Sequence, residues 1–298
     1  MARQPFGRHI PLVLLAMAAL LVGVPGAQAQ QLKRYPMTGL VIEVDPARRS
    51  FVVSHDAVEG LMPAMTMPFE VRDRAVLAGV TAGMTVRFTL VLGAQSARAE
   101  GVQIVPYESA EQDPSTARRL ELMRRITGRP STAVAVGQPV PDFTLIDQTR
   151  GRVTLTELRG KVVVVNFIYT TCALPQFCYR MATHFGAVQK RFARRMGTDL
   201  VLLTVTFDPV RDTPERLAEY ASQWKADPAQ WHFLTGAVAD VQRVCGWFGV
   251  DFFPDEGLIN HSTHTAVIDR RGTLKANIEG NTMTATQLGD LVASVLGR

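Results

Sequence analysis

Cys172 and Cys178 stand six positions apart, and only one other cysteine, Cys245, occurs in the chain. Two thiols this close admit three uses. Near a helix N-terminus, which lowers a thiolate pKa, the pair can carry out thiol–disulfide exchange. Two thiolates also make a soft donor pair suited to Cu(I). The structural alternative is a disulfide that clips a loop, as many exported proteins carry. Six residues of helix advance about 9 Å along the axis, whereas a disulfide needs Cα atoms within roughly 7 Å. Ala173 to Phe177 therefore cannot be continuous helix if the sulfurs meet, and Pro175 supports a bulged loop.

A third donor is available in His261, just before a predicted strand that starts near Thr265. A neutral imidazole and two thiolates make a plausible three-coordinate copper set. A lone histidine is more often a hydrogen-bonded packing group, so His261 gains weight only from the cysteines. His264 is a second candidate, as a ligand or as a group supporting one, and His232, after Trp231, reads as structural. Asp208 could orient a ligand through hydrogen bonds. Asp212 reads rather as a turn and helix cap. Cys245 lies inside a predicted helix and reads as a small buried apolar group.

The elements that must position these groups fall into two sets. From Val136 onward, strands alternate with helical patterns. Val162–Tyr169 and Leu200–Phe207 are continuous apolar runs, suiting strands buried on both faces. Helices are expected over Met181–Arg195, from Pro214 to about Trp224, over Val238–Phe248 and over Ala285–Leu296. Strands are expected over Thr265–Asp269 and Leu274–Glu279. This pattern is an α/β sandwich with a mixed sheet. Cys172 then lies three residues past a buried strand, at the strand-to-helix junction where α/β folds place ligand chemistry. Residues 35–106 read instead as short strands with turns between them, a small all-β barrel or sandwich. Residues 107–135 read as a linker with a helical piece over Ala117–Ile126.

The ordered motifs of residues 136–298 resemble the Sco/SenC family of copper chaperones. They are Val136–Phe143, Asn166–Cys172, Thr206–Pro214, His261-Ser262 and Val267–Asp269. The resemblance implies a thioredoxin-like fold and copper held by Cys172, Cys178 and His261. It also implies delivery to the Cu(A) site of cytochrome c oxidase or to another copper client. Five residues separate the cysteines here, whereas the family's commonest spacing is three. Thioredoxins place a cis-proline where His264-Thr265 stands, and its absence argues against a general disulfide reductase. Residues 35–106 resemble the CusF-like copper-binding domains, small barrels of OB type. The matching residues are His55, Met62 to Met67 and Phe69. Met65 and Met67, two apart on a strand, leave the same face. With His55 from a neighbouring strand they make a soft Cu(I) site. Thioethers stay unprotonated and form no disulfides. Met62 stands where that family has a tryptophan over the metal, and serves as a further sulfur ligand or as apolar cover. The plain alternative for these methionines is core packing.

The N-terminus carries Arg3 and Arg8, an uncharged run of 15 residues from Ile10 to Val24, and Ala27-Gln28-Ala29. This reads as a signal peptide over residues 1–29, cleaved before Gln30, and hence as a periplasmic protein. The membrane enters only if the segment is kept as an anchor. The formal charge of +5 falls to +3 without Arg3 and Arg8, and the remaining basic residues are scattered. No basic stripe with interleaved aromatics occurs, so nucleic acid is not implied. The reading is a periplasmic Cu(I) chaperone rather than an enzyme. The alternative is an exported thiol–disulfide reductase, with Cys172 and Cys178 as the redox pair. A peroxidase lacks the expected threonine–cysteine context.

Overall fold

The computed structural model describes residues 32–93, 96–107, 132–172, 175–255 and 258–297, with single helical positions between 115 and 123. The expected signal peptide and most of the expected linker helix lie outside these residues.

The N-terminal part is a five-stranded antiparallel sheet. It comprises β1 (Lys33–Asp45), β2 (Ser50–His55), β3 (Met65–Glu70), β4 (Thr85–Leu92) and β5 (Ala97–Ile104), ordered β3-β2-β1-β4-β5. A parallel bridge between Val71 and Ala99 brings the two ends of the sheet together, curling it into a barrel. Phe51, Val53, Phe69, Val86, Phe88 and Leu90 fill its interior. The alternation that sends Phe51 and Val53 inward also sends His55 inward. Gly39 on β1 has no room for a side chain, since a Cβ there would lie 2.5 Å from the Ser54 carbonyl oxygen of β2.

The C-terminal part is a seven-stranded mixed sheet. It is built from β6 (Thr144–Asp147), β7 (Arg152–Thr154), β8 (Val162–Ile168), β9 (Leu200–Thr206), β10 (Trp231–Thr235), β13 (His264–Ile268) and β14 (Leu274–Glu279), ordered β14-β13-β8-β9-β10-β6-β7. β8, β9 and β10 run parallel, and β13, β14, β6 and β7 pair antiparallel. A separate hairpin pairs β11 (Phe252–Asp255) with β12 (Leu258–His261).

Both faces of the large sheet are covered, so β8 and β9 are buried along their whole length. Val163, Val165 and Phe167 face a core shared with Val241, Val244 and Phe248 of helix α3 (Val238–Trp247) or just beyond it. Val162 and Val164 face the other core, with α1 (Arg180–Arg191), α2 (Pro214–Gln223) and α4 (Ala285–Leu296). This is the thioredoxin-like sandwich that the resemblance implied. Cys245 is fully buried in the α3 core. His232 on β10 hydrogen-bonds the Asp147 carboxylate at 2.9 Å, a structural pairing between strands.

One helix cap differs from expectation. The Thr213 hydroxyl accepts from the Arg216 amide and caps α2. Asp212 is fully buried and accepts instead from the hydroxyls of Thr170 and Thr206, at 2.5 Å each. Burial pushes its carboxyl up despite these bonds. A hydroxyl one position later satisfies the helix end, which leaves the carboxylate to tie β9 to the segment leading to Cys172.

The barrel and the sandwich share one core. Leu40 and Ile42 of β1 join the cluster that contains Ala276 and Ile278 of β14 and Leu288, Leu291 and Val292 of α4. β14 is the edge strand of the large sheet, and β1 extends the core on its α4 face. No helix among the described residues is long and apolar enough to cross a membrane.

Candidate metal centres

β8 ends at Ile168, and the chain turns out through Tyr169 and Thr170 to Cys172. A wide π-type turn over Pro175–Tyr179 then leads into α1, with Cys178 inside it. A wide turn, where a continuous α-helix could not serve, is what the spacing argument requires. The two thiols meet: Cys178 hydrogen-bonds Cys172. Among the described residues no disulfide is present. Cys178 is buried and Cys172 half-buried.

That thiol contact, with burial and the neighbouring sulfur's charge, pushes the Cys178 thiol well up from its ordinary value of 9.0. The helix end was expected to lower a thiolate pKa; at Cys178 the opposing effects win.

Tyr169 hydrogen-bonds Cys172 through its side chain and meets the backbone of Ile259 on β12. It thus joins the cysteine loop to the strand that ends in His261. Burial and the two thiols push its hydroxyl up. The His261 ring lies 4.6 Å from the Phe207 ring, 5.9 Å from Tyr169 and 6.4 Å from Phe177, centroid to centroid. Its Nδ1 is 3.0 Å from the Ser262 carbonyl. If Nδ1 donates there, Nε2 carries the lone pair, as a ligating imidazole requires. The structure therefore brings His261 into the aromatic surroundings of the cysteine pair. Among the described residues, however, no three His, Cys, Asp or Glu side chains are placed to hold a metal ion together.

The supporting candidates have contacts of their own. Asp208 forms an ion pair with Arg211 at 3.5 Å. His264 places Nδ1 3.3 Å from the Asn277 side chain, against Gly249. Tyr169 was missed by sequence reasoning. Its only signal is its place at the end of a buried strand, three residues before a cysteine.

In the barrel, the β2–β3 register sets His55 opposite Met65 and Val53 opposite Met67. Directly opposed side chains lie about 4.5–5.5 Å apart at Cβ. His55 is 1% exposed, and its Nδ1 lies 2.7 Å from the Asp56 carbonyl. Its Nε2 is buried with no hydrogen-bond partner. A buried imidazole nitrogen is costly to leave unsatisfied, and a metal ion is one group that satisfies it. Met65 is 45% exposed, an unusual place for a packing methionine. Met62 and Met67 pack on the barrel core and line a cavity with Phe69, Leu90, Arg48 and Glu70. Soft sulfurs and an orphaned imidazole nitrogen fit Cu(I).

Fold and sites together define a thioredoxin-like domain with a thiol pair at its strand-to-helix junction, joined to a small barrel with a histidine–methionine pair. Residues 133–296 match the family model SCO1/SenC, and the chain belongs to that family. Residues 34–104 match the model of the copper binding periplasmic protein CusF. Protein sco1 of Schizosaccharomyces pombe is 25% identical over 206 residues, covering 66% of this chain and 73% of that protein. The SCO1 protein homolog of Bacillus subtilis is 31% identical over 97 residues, covering 33% and 49%. Among solved structures, yeast Sco1 with copper bound is 26% identical, with a TM-score of 0.44, covering 51% of this chain and 85% of that one.

Proposed function

We propose that this protein is an exported, periplasmic carrier of Cu(I) with two sites. Cys172, Cys178 and His261 form one, and His55, Met65 and Met67 form the other. The observation that carries the reading is the contact between the Cys172 and Cys178 thiols at the end of β8, beside His261. SCO1/SenC membership supports copper as the cargo and the Cu(A) site of cytochrome c oxidase as its destination, with another copper client as the alternative. The CusF match supports both the second site and the periplasm. In this reading Cu(I) replaces the thiol protons, and His261 completes the donor set.

The thiol contact also favours a second reading. The pair could reduce a client's disulfide, passing on two electrons and two protons and becoming a disulfide itself. The raised Cys178 thiol weighs against Cys178 as the attacking group.

The test is copper per chain in the reduced protein, loaded with Cu(I) without oxygen under a competing chelator. Cys172→Ser/Cys178→Ser is the comparison. We expect two equivalents, falling to one in the variant. An unchanged count in the variant would transfer the pair to redox chemistry and sink the carrier reading of that site.

A further inference from the structure

We propose that Asp290 and Gln287, on α4 of the C-terminal domain, are positioning residues for the copper site of the barrel. The inference rests on the reading that His55, Met65 and Met67 hold Cu(I).

On β2 and β3 the ligand pair His55–Met65 is followed in register by Ser54–Thr66. Alternation turns this second pair to the opposite face, away from the barrel interior. There both hydroxyls donate to one oxygen, Oδ2 of Asp290. Ser54 Oγ lies at 2.8 Å and Thr66 Oγ1 at 2.6 Å. One carboxylate atom therefore spans the two strands directly behind the ligand pair. Its other oxygen, Oδ1, accepts from Arg191 of α1 at 2.7 Å, which fixes the carboxylate on the sandwich.

Gln287 adds a second hold. Its Nε2 lies 3.2 Å from the Ser54 carbonyl and 3.2 Å from Asp56 Oδ1, the residues on either side of His55. Its Oε1 accepts from the Thr284 amide in the capping box of α4, so the side chain is itself held. The Asp56 carbonyl meets His55 Nδ1 at 2.7 Å. His55 is thereby clamped along the chain and through its ring, with Nε2 as its remaining donor. A site built this way needs its ligands held within about 0.5 Å. The barrel strands supply the ligands, and a helix more than 200 residues later in sequence sets their spacing.

A plain interdomain tie would depend equally on every contact of Asp290. A positioning role depends on the two hydroxyls and hardly on Arg191, which separates the two.

The experiment uses the full chain with Cys172→Ser/Cys178→Ser, so that only the barrel site binds. Cu(I) affinity is read by chelator competition without oxygen, and copper K-edge absorption reads the imidazole contribution. Asp290→Ala should weaken Cu(I) roughly tenfold or more, the usual cost of losing a ligand's support, and reduce the imidazole signal. Ser54→Ala/Thr66→Val should do the same, with little further loss when combined with Asp290→Ala. Asp290→Asn, which keeps an oxygen for both hydroxyls, should restore affinity, and Arg191→Ala should leave it within about threefold. Equal losses in Arg191→Ala and Asp290→Ala, or affinity within twofold of the parent in both clasp variants, overturn the inference. If Asp290→Ala does not fold, the Ser54/Thr66 variant decides. A parent that holds no Cu(I) overturns instead the assignment of the barrel site.

Discussion

The proposed barrel site draws its residues from two paired strands, whereas the proposed cysteine site draws on a loop, a wide turn and the end of a short hairpin strand. The donors differ too. Thioethers carry no proton, whereas a thiol loses its proton to bind metal and regains one when the metal departs. Cys178 and Cys172 share a hydrogen bond, and it helps push the Cys178 thiol up. A site on paired strands whose sulfurs bind no proton suits steady retention of Cu(I). A proton-linked site on irregular backbone suits exchange, because protons and thiols can compete for the same positions.

The largest expected effect tests this contrast directly. Copper binding at Cys178 must displace a proton, so affinity at the cysteine site should fall at least about tenfold per unit as pH drops. The barrel affinity, measured in Cys172→Ser/Cys178→Ser, should fall less over the same range, since its sulfurs release none. Equal slopes would break the comparison. The metal-free protein should show the opposite pH sense in its stability. Below 9.0 the Cys178 thiol is protonated in both folded and unfolded chains, and its contribution is fully present. As pH rises past that value the unfolded chain ionises first, so stability is lost until the folded value is passed. Denaturant midpoints from pH 7 to 10, with Cys178→Ser as control, check the sign.

A smaller effect sharpens the description of the barrel. Met65 opposes His55, whereas Met62 packs on the barrel core beside Met67. In the cysteine-free background, Met65→Leu should cost roughly ten- to a hundredfold in Cu(I) affinity, at least as much as losing a ligand's support. Met62→Leu should cost under about threefold, as apolar cover would. The same chelator competition checks both. A larger loss from Met62→Leu would make Met62 a ligand.

The same contrast explains what could be read from sequence. Met65 and Met67 sit on a strand whose alternation was visible, so their shared face followed from period two, whereas His55 on the neighbouring strand joined them only through the resemblance. The buried runs of β8 and β9 and the helix over Ala285–Leu296 were equally plain, because burial on both faces and amphipathic spacing leave local marks. The β11–β12 hairpin that carries His261 left none, being two four-residue strands. Tyr169 read as the end of an apolar run, since nothing local says that a hydroxyl there will meet Cys172. Asp212 looked like a cap because a cap is a local solution; its actual partners, Thr170 and Thr206, come from the packing of β8 beside β9. The Asp290 clasp spans 236 positions to Ser54, beyond the reach of any periodicity.

Cys245 gives the smallest effect and the cleanest control. It is the same residue type as the candidate ligands, yet it sits in regular helix, fully buried among Val241, Val244 and Phe248. Burial pushes its thiol up, so ionisation to a metal-binding thiolate is opposed there too. The difference from Cys178 is therefore one of company, since Cys178 has a second thiol hydrogen-bonded to it. Cys245→Ala should cost about 1 kcal/mol of stability, as a small cavity in a close-packed core does. Copper per chain should stay at the parent value. A lost copper equivalent would show that placement in regular helix does not exclude a cysteine from metal chemistry here, and the contrast between the two kinds of backbone would fail with it.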